Sequence, residues 1–209
     1  MTKIILTRHG HVDWIAPERY RGRADLSLSA FGQQQIQATA RRIANEWNPS
    51  AIFTSPMQRC VDTGLAIAHA FHTPLIPEAL SALNDIDYGL WQGLTKEEVA
   101  QRWPQQSEDW HHHPHLAEIP QGETLPAVLA RITHAITNLL QRFPDEMIVL
   151  VGHDSVNRVI LTLALGLPLS SYWHLKQDPC AINELVFKQG IFTIHKMNET
   201  FHLNGLVND

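Results

Sequence analysis

Apolar positions along this chain follow two alternating periods, one suited to strands and one to helices. Lys3 to Thr7 is an apolar run that reads as a first strand. A polar loop, Asp13 to Ser27, follows it and carries Arg19, Arg21 and Arg23. Ser29 can cap a helix whose stripe is Ile36, Ala40, Ile43, Ala44 and Trp47. Ala51 to Thr54 reads as a short strand, and Ser55-Pro56 as an N-cap and first helical residue. Val61, Leu65 and Ala68 give that second helix its buried face. Pro74 to Pro77 brackets another short strand. Residues 79 to 123 are irregular, apart from a capping box, Thr95-Lys96-Glu97-Glu98, that opens a short helix ending near Trp103-Pro104. Glu123-Thr124 is placed to cap a long amphipathic helix with Leu125, Val128, Leu129, Ile132, Ile136, Leu139 and Leu140 on one face. Met147 to Val151 is continuously apolar, as in a strand buried on both faces. Asp154 can cap the next helix, with Val156, Val159, Ile160 and Leu163 inward. Ala181 to Lys188 and Ile191 to Lys196 read as a hairpin around Gln189-Gly190. Strand and helix patterns in alternation predict a layered α/β fold.

Composition narrows the picture. A length of 209 residues suits one domain, or one with a modest insertion, and a hydrophobic fraction of 44% supports a sizeable core. Lys plus Arg number 16 against 21 Asp plus Glu, a formal charge of -5. That balance argues against nucleic-acid and anionic-membrane partners, while leaving room for a local basic cleft. Cys60 and Cys180 form no CxxC motif, so a zinc ribbon or dithiol redox site is unsupported. Their scarcity fits a reducing compartment. With no signal peptide or bilayer-length apolar run visible, the expected location is the cytoplasm.

Three strand-to-helix junctions carry the candidate chemistry. Arg8 and His9 follow the first strand, Arg59 lies in the first turn after Ser55-Pro56, and His153 follows the buried strand and Gly152. Parallel, neighbouring strands would bring all four to one sheet edge, where helix N-termini add N–H donors. Such a pocket suits a phosphate dianion. A neutral imidazole is a nucleophile toward phosphorus, and nearby Arg8 and Arg59 should hold His9 neutral. The leaving alkoxide needs a proton. Asp85 is the candidate acid and Asp87 the alternative. His11, Arg21 and Arg23 are possible substrate contacts. His111-His112-His113-Pro114-His115 invites a metal hypothesis, but consecutive rings diverge in an extended chain, so an incidental loop is expected. Trp103 and Trp110 are expected to pack the irregular segment onto the sheet.

In their order, these segments resemble the histidine phosphatase superfamily, in its phosphoglycerate mutase-like branch. The resemblance runs from residue 3 to about 165 and rests on Arg8-His9-Gly10, Arg21 to Ser29, Phe31-Gly32-Gln33-Gln34, Ser55 to Thr63, Asp85 to Gly93, Pro120 to Thr124 and Val149 to His153. The departures are His11 where the family usually has Glu or Gln, Ile15 in place of a common Asn, Asp85 in place of Glu, Gln92 in place of Glu, and Asp154-Ser155 in place of a glycine-rich pair. The resemblance implies a three-layer α/β/α sandwich with a mostly parallel central sheet. Residues 1-209 are expected to form a single domain, with the 79-123 excursion as a cap. It further implies attack by His9, proton delivery by Asp85, phosphate held by Arg8, Arg59 and His153, and neither a metal nor another cofactor. The expected substrate is a small phosphate ester. Two alternatives stay open, a cofactor-dependent phosphoglycerate mutase and a non-catalytic phospholigand binder.

Overall fold

The computed structural model describes residues 1–14, 18–73 and 75–207; Ile15 and Pro74 lie outside the described residues. Among the described residues, six strands form one sheet in the order β3-β2-β4-β1-β5-β6. Strands β1 (Thr2–Arg8), β2 (Ala51–Thr54), β3 (Glu78–Ala79) and β4 (Met147–Gly152) are parallel. Strand β5 (Ile182–Lys188) runs antiparallel to β1, and β6 (Ile191–Glu199) closes the edge as a hairpin with β5.

Side chains on a strand alternate between faces, and that alternation builds the layers. Ile5, Val149 and Val151 face helices α1 (Ala30–Glu46) and α2 (Gln58–His69), meeting Ala40, Ile43 and Ile67 in one buried cluster. Ile4, Leu6, Ile148 and Leu150 face the other way. There they meet Val128, Ile132 and Val159 from α5 (Leu125–Arg142) and α6 (Asp154–Leu165). The excursion contributes α3 (Lys96–Arg102) and α4 (Pro104–His112), jointed at Trp103. Trp91 and Trp110 anchor it in the α5–α6 core.

Capping chemistry explains most helix starts. Ser29 accepts from the Gly32 N–H, Thr124 from the Ala127 N–H, and Thr95 with Glu98 forms the reciprocal box. Five expectations need correction. Helix α2 buries Cys60, Thr63, Gly64, Ile67 and Ala68, whereas Val61 is half-buried and Leu65 exposed. Helix α2 starts at Gln58, because Ser55-Pro56 forms the turn that leads the chain off the sheet. The strand in the Pro74–Pro77 region is displaced to Glu78–Ala79, where residues with free N–H groups can pair with β2. Asp154 is the first residue of α6 rather than its cap. The histidine run is not all loop: His111 and His112 complete the last turn of α4.

One close approach fixes the start of α1. A Cβ on Gly32 would stand 2.1 Å from the His11 carbonyl, and one on Gly10 2.7 Å from the Gly32 carbonyl. Only glycines let the segment after β1 lie against this helix.

Candidate active site

Strands β1, β2 and β4 end level with one another, since Arg8 pairs with Gly152 and Thr54 with Val151. The His9 N–H donates to the Gly152 carbonyl at 3.1 Å, and the Ser55 N–H to the Val151 carbonyl at 3.0 Å. His153 follows β4 at the start of α6. The sheet thereby sets the His9 and His153 rings 5.1 Å apart between centroids.

Arg59, in the first turn of α2, lies fully buried behind them. Its Nε donates to His9 Nε2 at 3.2 Å, Nη1 to the Ala24 carbonyl at 2.8 Å and Nη2 to the Gly22 carbonyl at 2.9 Å. Arg8 donates from Nη1 to the Gln177 carbonyl at 2.6 Å and stands 3.7 Å from Asp154. Its Nε is buried with no hydrogen-bond partner among the described residues, a donor able to serve a phosphate oxygen.

His9 Nδ1 lies 2.7 Å from the Gly10 carbonyl, a contact only a protonated nitrogen can make as donor. Nε2 therefore carries the lone pair. Burial, then His153, Arg59 and Arg8, hold His9 well below the ordinary imidazole range; burial, then Arg59 and Arg8, do the same to His153. Both rings are neutral near pH 7. His153 Nε2 lies 2.9 Å from Ser55 Oγ. Asp85 faces the same centre, with Oδ2 at 3.5 Å from Arg59 Nη2 and 3.7 Å from His153 Nδ1. Its Oδ1 accepts from the Ile86 N–H at 3.0 Å and from the Ser155 hydroxyl.

Arg8, His9 and Asp85 open into a cavity of about 490 Å³, walled farther out by Arg21, Tyr88, Trp110 and Arg158. An ester can bind with its phosphoryl group at the sheet edge and its alcohol toward the excursion. Arg21 lines this cavity. Arg23 and His11 do not. Arg23 turns to Asp87 and Glu123 at 3.4 and 3.2 Å, and His11 Nδ1 sits 2.7 Å from Ser29 Oγ at the start of α1. Asp87 accepts from the Gly89 N–H, so it shapes a turn. Glu123 pairs with Arg131, and only Thr124 caps α5. Of the histidine run, His111 lines the cavity. No group of three or more potential metal ligands occurs among the described residues. Sequence reasoning missed Ser55, Gln177 and Ser155. For Ser155, the available signal was a hydroxyl two positions after His153.

The sequence profile of the histidine phosphatase superfamily (branch 1) matches residues 4–200, and the chain belongs to that family. Phosphoserine phosphatase 1 of Hydrogenobacter thermophilus is 31% identical over 203 residues, 97% of this chain and 95% of that protein. The metal-independent phosphoserine phosphatase of Arabidopsis thaliana is 30% identical over 161 residues, 77% of this chain and 67% of that protein. Among solved structures, Bacillus stearothermophilus YhfR shares the fold with a TM-score of 0.90 over 98% of this chain and 100% of its own, at 24% identity. This protein is a phosphatase of that superfamily. No helix among the described residues is long and apolar enough to cross a membrane.

Proposed function

We propose that the protein hydrolyses small phosphomonoesters through a phosphohistidine on His9, with Asp85 as the general acid. The observation that carries this is the pairing of a neutral His9, its Nε2 lone pair beside Arg59, with a carboxylate across the same centre. His9 Nε2 gives up its hydrogen bond from Arg59 Nε and attacks phosphorus, the bond to the ester oxygen breaks, and the Asp85 carboxyl gives its proton to the leaving alkoxide. Water then attacks the phosphohistidine and gives a proton to Asp85, and phosphate leaves His9 neutral again. Arg8, Arg59 and His153 stabilise charge on the phosphoryl oxygens. Residues 79 to 123 act as a cap, through Tyr88, Trp110 and His111. Two buried free thiols suit a reducing cytoplasm.

The alcohol portion carries a second anion. Most cations that line the cavity face a carboxylate: Arg8 and Arg158 face Asp154, Arg19 faces Glu98, Lys96 faces Glu18, and Lys176 faces Asp178. Arg21 has only the Trp14 carbonyl at 3.4 Å among the described residues. An uncommitted guanidinium suits a carboxylate. Together with the relatives named for phosphoserine, this makes O-phosphoserine the first substrate to test. The assay is phosphate release with chelator present, alongside acid-sensitive phosphoryl labelling of the protein. Turnover and labelling that both vanish in His9→Ala are expected. Label retained in that variant would refute the assignment.

A further inference from the structure

We propose that Ser155 is the positioning residue for the proton donor: its hydroxyl holds one oxygen of Asp85 and turns the other toward the phosphoryl centre. This role rests on Asp85 being the general acid.

A carboxylate on a short side chain rotates freely about its last bond, because that torsion is broad and two-fold. Two donors break the degeneracy here. Oδ1 receives the Ile86 N–H at 3.0 Å and the Ser155 hydroxyl. The Ile86 N–H also reaches Ser155 Oγ at 3.3 Å, so three groups form one closed knot. Oδ2 is left facing Arg59 and His153, at 3.5 and 3.7 Å. With both donors on Oδ1, the transferable proton belongs on Oδ2.

The origin of the two donors matters. Ile86 is the next residue in the chain and moves with Asp85. Ser155 belongs to the first turn of α6, two residues after His153, and is almost wholly buried. Its hydroxyl registers the acid to the same helix start that carries the second histidine. Asp is one methylene shorter than Glu, so it reaches the centre from fewer orientations, and an outside anchor gains importance.

Ser155→Ala, Ser155→Thr and Asp85→Asn would be compared on an alkyl ester, O-phosphoserine, and an aryl ester, p-nitrophenyl phosphate. Alkoxide departure needs the proton, whereas nitrophenolate departure does not. Ser155→Ala should lower kcat on the alkyl ester roughly ten- to a hundredfold, with a much smaller loss on the aryl ester and little change in KM. Ser155→Thr, which keeps the hydroxyl, should recover most of the alkyl rate. Asp85→Asn should show the same asymmetry, about 10²- to 10⁴-fold on the alkyl ester. Adding Ser155→Ala to it should cost little more. Asymmetry in Asp85→Asn with equal losses in Ser155→Ala would overturn the positioning role alone. No asymmetry in Asp85→Asn would overturn the acid assignment, and the role of Ser155 with it.

Discussion

Arg59 spends four contacts on four different partners: the nucleophile, the acid and two loop carbonyls. A lysine cannot reproduce that planar fork. Arg59→Lys is expected to lose about 10²- to 10³-fold in kcat through weaker charge stabilisation. It should also lose roughly 1–3 kcal/mol of stability by leaving the Gly22 and Ala24 carbonyls unsatisfied. Phosphate release and a urea melt measure the two separately. The cysteines make a different statement. Burial pushes the Cys60 thiol up, and Cys180 up to about 12. Neither should react with an alkylating reagent in the native protein, and both should react after unfolding, as mass spectrometry would count. The convergence of Arg8, His9, Arg59 and His153 was legible from sequence because Arg8, His9 and His153 sit at strand ends and Arg59 in the helix turn just beyond one, and strand ends in a parallel sheet converge. Arg23, His11 and Ser155 were not. Proximity along the chain does not say which way a side chain turns, and an ion pair with Glu123 or a hydroxyl bond to Ser29 decides that only in three dimensions.

At the level of elements, the periodic segments were readable and the irregular ones were not. The stripe from Leu125 to Leu140 states its own period, and α5 spans Leu125–Arg142. Helix α4 has no such stripe; only Ser107 and Trp110 are buried along it. Its apolar content is too sparse to betray a helix, and Pro104 at its first turn looks like a break when it is a start. The two-residue strand β3 depends on pairing with Phe53 and Thr54 rather than on any pattern of its own. The contact between α1 and the segment after β1 gives a direct test. Gly32→Ala should force the His11 carbonyl away, at a cost of roughly 1–3 kcal/mol. Because His9 is two residues from that carbonyl, kcat should fall with the melting temperature. Unchanged melting would contradict the close approach.

Across the whole molecule, the two buried histidines link the site to stability. Their folded-state values lie well below the ordinary 6.5 that an unfolded chain would show. Below that value the unfolded state binds more protons than the folded state, so stability rises with pH in this window. Their contribution is complete above about pH 6.5 and is lost as pH falls toward the folded-state values. The melting temperature should therefore decline on acidification below 6.5, and His9→Asn should flatten the decline. A melting temperature that rises on acidification in that range would be inconsistent with buried neutral rings. The placement of β1 at the middle of the sheet has a further consequence for biosynthesis. Its partners are Met147–Gly152 on one side and Ile182–Lys188 on the other. As the ribosome extends the chain, Ile4, Ile5 and Leu6 must remain unpaired with these strands until more than a hundred further residues have been translated. Such long-range pairing is slow to form and leaves sticky backbone exposed meanwhile. Assembly of the catalytic edge is thus among the last events in making this enzyme, and a chaperone that shields nascent strands should raise its yield more than its activity per folded molecule.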